Sequence, residues 1–236
     1  MKKSLFYFVR SILFYIGYIS TLVPYTSLCI IIGLFIPVKA RFRYFVIWNR
    51  FSIWWLKVTC GVKFEVVGKK NIPSKSFVML SNHQSPWETI FLYYFFQPLA
   101  ATLKKELLYI PFFGWTLALL KPIAIDRSKK RQARKMILSQ GKSRLDNAIS
   151  VLIFPEGTRV DPGQDKAFSS GGATLAIESG AKILPVAHNA GEFWPAHKFI
   201  KTPGTVKVII GEPIDTQGRE PRELTEQVRV WIKQAI

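Results

Sequence analysis

The chain has 236 residues, with 33 Lys and Arg against 15 Asp and Glu and a formal charge of +18. That length allows one domain with a sizeable core plus an appendage, and so basic a balance implies an anionic partner: nucleic acid, a phospholipid surface or a phosphorylated substrate. Two cysteines, Cys29 and Cys60, exclude a disulfide framework and a thiolate metal cluster.

Residues 1–60 contain eight Lys and Arg and no acid; the first acid is Glu65. An apolar, basic, acid-free stretch points to a membrane before nucleic acid. Residues 11–38 carry no charged side chain; as one helix they would run about 42 Å, against a hydrocarbon core of about 30 Å. Pro24 near the middle predicts a kink or break. Lys2, Lys3 and Arg10 precede the run, and Lys39, Arg41 and Arg43 follow it. Positive residues favour the cytoplasmic side, so the expectation is a hairpin dipping into one leaflet. In residues 41–58, Arg43, Arg50 and Lys57 share one helical face, with Phe45, Trp48, Phe51, Trp54 and Trp55 over the remainder. That pattern predicts a helix lying among lipid headgroups, an ordinary core helix being the plainer alternative. A cleaved signal peptide fits poorly, because the apolar run is too long and no small-x-small site ends it. The reading is therefore a membrane-anchoring unit over 1–60 and a separate domain over 61–236.

From residue 61 short apolar runs alternate with longer mixed segments. Strands are predicted at 63–67, 76–80, 99–103, 123–125, 151–154, 183–187 and 205–210. Helices are predicted at 86–96, 111–119, 131–149, 172–179 and 221–235. In the last, Leu224, Val228, Trp231 and Ala235 mark a core face. The alternation predicts an α/β fold, a mixed sheet flanked by helices behind an N-terminal apolar anchor.

Three strand ends carry chemistry. Ser81-Asn82-His83-Gln84-Ser85-Pro86-Trp87-Glu88 follows an apolar strand and opens a helix, with Ser85 placed as N-cap and Pro86 in the first turn. Ligand sites of open α/β sheets gather at such ends. A histidine there can take a proton from an alcohol near neutral pH, and a nearby carboxylate can hold its tautomer. Glu88 is the candidate carboxylate, although Ser85 and Glu88 also have capping-box spacing. At the next strand end, Phe154-Pro155-Glu156-Gly157-Thr158-Arg159 offers a glycine for close backbone approach and a guanidinium fork for phosphate. Asp126-Arg127 closes a third strand, and six basic residues fall within 127–135. That run reads as a solvated face, or as a contact for anionic headgroups, coenzyme A phosphates or an acidic carrier protein. His188 and His197 have no motif spacing and receive no role.

His83-x4-Glu88, Ala124-Ile125-Asp126-Arg127, Phe154-Pro155-Glu156-Gly157-Thr158-Arg159 and Leu184-Pro185-Val186 occur in that order. Together they resemble the four blocks of the glycerolipid acyltransferases, most closely the bacterial 1-acylglycerol-3-phosphate acyltransferases. Lys104-Lys105-Glu106-Leu107 with Ile110-Pro111-Phe112-Phe113-Gly114-Trp115 is similar to the segment between the first two blocks. Glu88 stands where the family usually has Asp, and Lys121 where the second block usually begins with Gly. The resemblance implies acyl transfer from acyl-CoA or acyl carrier protein to the sn-2 hydroxyl of lysophosphatidic acid, giving phosphatidic acid. It further implies His83 and Glu88 as the catalytic pair and Arg127, Glu156, Gly157, Thr158 and Arg159 as the acceptor site. No metal, cofactor or nucleic acid is implied. The implied location is the cytoplasmic face of a bacterial inner membrane. Rival readings are another acceptor within the family, or a non-catalytic basic protein at the membrane surface.

Overall fold

The computed structural model describes residues 2–236. Two long helices, α1 (Lys2–Phe35) and α2 (Val38–Cys60), precede an alternating array. That array runs β1 (Val62–Val67), β2 (Val78–Ser81), α3 (Pro86–Phe95), β3 (Leu99–Lys104), α4 (Phe113–Leu119), β4 (Ile123–Ile125) and α5 (Lys130–Asp146). It continues with β5 (Ser150–Ile153), α6 (Gly171–Ser179), β6 (Ile183–His188), β7 (Gly204–Ile210) and α7 (Pro221–Ala235).

The strands form one sheet in the order β1-β7-β6-β2-β5-β3-β4. Every pairing is parallel except β6 with β7. The mixed α/β sheet expected from the sequence is therefore present. Because β2, β5, β3 and β4 run the same way, their carboxyl ends open on one edge.

Side chains alternate across the sheet with the two-residue period of a strand. Val78, Leu80, Val151 and Ile153 enter a core with Leu175 of α6 and Leu224 and Val228 of α7. Met79 and Leu152 enter the opposite core with Trp87 and Phe91 of α3. Phe14 of α1 and Phe42 and Leu56 of α2 belong to this second core. The division at residue 60 is thus not a boundary of packing: α1 and α2 complete one face of the sheet.

The hairpin expected within 11–38 is replaced by a larger one. α1 continues through Pro24, the turn falls at residues 36–37, and α2 is the returning arm. Around the proline, hydroxyls of Thr21, Thr26 and Ser27 donate to the carbonyls of Gly17, Leu22 and Val23. Trp48 of α2 donates to the Thr21 hydroxyl at 3.1 Å. Side-chain bonding and packing on a neighbouring helix are what keep a proline-containing helix continuous. Pro37 ends α1 instead, since the residue before a proline is driven out of the helical region. The side of α1 turned from the core exposes Leu5, Ile16, Ile19, Ile31 and Phe35. Ser4–Phe35 is long and apolar enough to cross a bilayer by length and composition.

A clasp ties α1 to the segment before β7. The Lys201 ammonium lies 3.5 Å from the Tyr15 ring centroid, with Phe14, Trp194 and Phe199 around it, and donates to the Phe199 carbonyl at 2.6 Å. An ammonium on aromatic faces is attracted by their negative charge density, more strongly when shielded from water.

If α1 belongs to the common core, Phe14→Ala will destabilise the whole chain. Denaturant unfolding in detergent should show a loss of about 3–5 kcal/mol in a single transition. A separate early transition of the two helices would contradict the shared core.

Candidate active site

His83 lies two residues beyond β2, in the turn that opens α3. Its Nδ1 is 2.7 Å from Glu88 Oε1. A carboxylate only accepts, so Nδ1 carries the proton and Nε2 keeps its lone pair for a substrate. The same Oε1 accepts the Gln84 and Ser85 amides at 3.0 and 2.9 Å. Ser85 in turn accepts the Trp87 amide, which completes a capping box. Capping and holding the imidazole, which the sequence leaves as alternatives, are done by one oxygen atom. The carboxyl is fully buried. Burial pushes its pKa up, but the fields of His188 and His83, the His83 hydrogen bond and the Ser85 amide outweigh that and hold it below the usual carboxylate value.

The loop after β5 grips His83 from three directions. Phe154 stacks on the imidazole, centroids 4.0 Å apart and planes 13° from parallel. Glu156 accepts the His83 amide at 2.6 Å, and the Val160 amide donates to the His83 carbonyl at 2.8 Å. Burial pushes the Glu156 carboxyl up to about 7; the His83 amide lowers it only in part, and Glu88 repels it further. Gly157 adopts φ +71°, the left-handed region that glycine enters without strain. A Cβ there would meet nothing within 4 Å, so it is the turn's backbone conformation that favours glycine at this position.

His188, given no role in the sequence reading, supports this turn from below. Asn82 donates to the His188 carbonyl at 2.8 Å and accepts its amide at 3.1 Å. The His188 ring donates from Nε2 to the Asn82 carbonyl at 2.9 Å and accepts the Ala190 amide at Nδ1. Both nitrogens are thereby assigned, and burial holds the ring below the usual histidine pKa despite the field of Glu88.

His83 faces a cleft of about 350 Å³. One wall is apolar and comes largely from Tyr18, Leu22, Phe45 and Trp48 of α1 and α2. The other carries Lys104, Arg127 and Arg159, delivered by the ends of β3, β4 and β5. Burial and then the charge of Arg159 push the Arg127 guanidinium below its ordinary value. Among the described residues neither arginine pairs with an acid, and Arg159 Nε is buried without a hydrogen-bond partner. Two crowded, partly desolvated cations favour an anion between them. Asp126 forms the turn behind Arg127: it binds Lys105 at 2.7 Å and caps Ser128. Lys105 and Ser128 hold its carboxyl well below the usual range.

The expected site residues thus separate by place. His83, Arg127 and Arg159 line the cleft, and Glu88 lies behind His83. Glu156 holds the His83 peptide, whereas Gly157 and Thr158 form an exposed turn away from the lining. Lys104 is an addition, and the strand-end rule that selects Arg127 also selects it.

Residues 63–189 match the sequence profile of the Acyltransferase family. A relative from Pseudomonas aeruginosa, 1-acyl-sn-glycerol-3-phosphate acyltransferase, is 47% identical over 97% of the chain and 90% of its own length. The chain belongs to the acyltransferase family. It is an O-acyltransferase. The Saccharomyces cerevisiae 1-acyl-sn-glycerol-3-phosphate acyltransferase is 31% identical over 69% of this acyltransferase, which spans 55% of the yeast protein. The fold is shared with the crystal structure of the 1-acyl-sn-glycerophosphate acyltransferase PlsC from Thermotoga maritima. The TM-score is 0.80 over 100% of this chain and 96% of that one, at 24% identity.

Two variants test the grip. The folded enzyme holds a proton on Glu156 between about its ordinary value of 4.5 and about 7. The contribution of this group to stability is therefore complete below that window and lost as pH rises through about 7. Melting temperature followed across the window should fall less in Glu156→Gln than in the parent; equal slopes would remove the assignment. Asn82→Ala orphans the buried amide and carbonyl of His188, at about 1–3 kcal/mol each. Its turnover should drop with the stability.

Proposed function

We propose that this enzyme transfers a fatty acyl group from a thioester of coenzyme A or acyl carrier protein to the sn-2 hydroxyl of 1-acylglycerol-3-phosphate, producing phosphatidic acid. The observation that carries the reading is the convergence of a carboxylate-bound imidazole with Lys104, Arg127 and Arg159 around one half-apolar cleft. The names of the Pseudomonas and yeast relatives support the same acceptor.

The acceptor phosphate binds the guanidinium groups of Arg127 and Arg159 with the Lys104 ammonium, and its acyl chain lies along the apolar wall. His83 Nε2 takes the proton of the sn-2 hydroxyl as that oxygen attacks the thioester carbonyl. The new C–O ester bond forms, the C–S bond breaks, and the proton passes from His83 to the leaving thiolate. Glu88 stabilises the imidazolium in between, as does the face of Phe154. The thioester is already activated, so the reaction needs no serine or cysteine nucleophile.

The apolar outer face of α1 seats the hairpin in one leaflet, with both of its ends on the cytoplasmic side of a bacterial inner membrane. The acceptor and product both partition into lipid, so the cleft lies at the bilayer surface.

Purified enzyme assayed with acyl-CoA supplies the test. His83→Ala should lose about 10²–10⁴-fold in turnover while still binding vesicles; undiminished turnover would end the base assignment. Arg159→Ala should raise KM for the phosphate-bearing acceptor by about 10–100-fold, the equivalent of one charge-assisted hydrogen bond. Preference of the parent enzyme for an acceptor lacking phosphate would remove the role given to the arginines.

A further inference from the structure

The segment between β3 and β4 has two faces of opposite use. Phe113, Thr116 and Leu117 turn inward and line the cleft. Tyr109, Ile110, Phe112 and Trp115 turn outward and are 72%, 45%, 38% and 51% exposed. Four large apolar side chains within seven residues are more than a water-facing turn carries without a partner. Phe112 and Trp115 form an exposed aromatic pair, ring centroids 5.4 Å apart. Phe112 also sits at φ +60°, a backbone conformation that costs a bulky residue about 1–3 kcal/mol. Burial inside the protein offsets little of this, because the ring is outside the core.

The position of the patch decides what covers it. α4 is fastened to the hairpin: Thr116 donates to the Thr26 carbonyl at 3.0 Å, and Arg41 donates to the Leu119 carbonyl at 3.1 Å. A Cβ on Gly33 of α1 would come within 2.9 Å of Leu119. The exposed patch therefore belongs to a segment packed against α1, a helix that itself exposes Val23, Leu28, Ile31 and Leu34. Lys104, Lys105 and Lys121 flank the segment in sequence, and Lys104 and Lys121 are exposed. Tyrosine and tryptophan beside an apolar surface, with lysines at its margin, are the pattern of groups that settle at the lipid–water interface.

We propose that Tyr109–Trp115 is a second lipid-contacting element, inserted into the same leaflet as α1 and forming the rim between the bilayer and the cleft. This rests on the proposed seating of the α1–α2 hairpin in a leaflet and extends it to the catalytic sheet. Membrane contact then comes from two parts of the chain some eighty residues apart. The rim that separates water from the cleft is itself immersed, so an acyl chain reaches the apolar wall from the leaflet.

The test uses the full chain with Cys29 and Cys60, both buried, replaced by alanine. An environment-sensitive nitrobenzoxadiazole label is placed at Tyr109→Cys, and independently at Trp115→Cys. A label at Ile19→Cys on the outer face of α1 serves as lipid reference. One at Glu226→Cys on α7, which packs on the opposite face of the sheet, serves as water reference. In phosphatidylethanolamine–phosphatidylglycerol vesicles, the labels at 109 and 115 should shift to the blue. Lipids doxylated near the headgroup should quench them as they quench the label at 19, while the label at 226 stays aqueous. Labels at 109 and 115 that match 226, with the label at 19 quenched, overturn this proposal and leave the hairpin in place. A label at 19 that also matches 226 overturns the leaflet seating and this proposal together.

Discussion

The arrangement depends on how the His83 peptide and ring are held. The imidazole is useful only if one nitrogen is occupied and the other is aimed at the cleft. Glu88 occupies Nδ1, Phe154 fixes the plane of the ring, and Glu156 and Val160 bind the amide and carbonyl of the residue itself. These constraints come from two loops at the ends of adjacent parallel strands, β2 and β5. A histidine on an unsupported loop would sample many orientations, and each would cost reactive geometry. The Phe-Pro-Glu-Gly-Thr-Arg block therefore has two jobs. Its first residues hold the imidazole of His83, and its last supplies a cation to the cleft.

The electrostatic layout follows from the sheet. Parallel strands place every carboxyl-terminal loop on the same edge, so Lys104, Arg127 and Arg159 gather without being near one another in sequence. Burial and the charge of Arg159 hold the Arg127 guanidinium below its ordinary pKa. The hairpin supplies the opposite, apolar wall of the cleft. The charged and the apolar side of the cleft thus come from different parts of the chain.

Much of the sheet was legible because it obeys local rules. β4 and α7 have the bounds read from the sequence, and other elements differ by a residue or a few at their ends, where caps decide and periodicity does not. His83, Arg127 and Arg159 line one cleft because the loops that carry them leave the same edge of the sheet. What local rules could not supply was tertiary support. Pro24 looked like a break because the hydroxyl and indole partners that bridge it lie partly on another helix. The hairpin looked detachable because the pairing of Phe14 and Leu56 with a sheet residue such as Leu152 leaves no periodic trace. Lys201 gave no signal at all, since its cage joins residues 14 and 15 to 194 and 199. His188 likewise acts through Asn82, 106 positions away.

The sheet order has a consequence for biosynthesis. β1 follows directly from α2, yet its strand partner is β7, with Val62 beside Gly204 and Val67 beside Ile209. A ribosome delivers the hairpin first and this partner near the end, so β1 must wait with an unpaired edge while the intervening strands emerge. Pairing across so long a loop is slow. During that interval the faces of α1 and α2 that later pack on the sheet have no sheet to cover them, so the fold closes only when its last strand arrives.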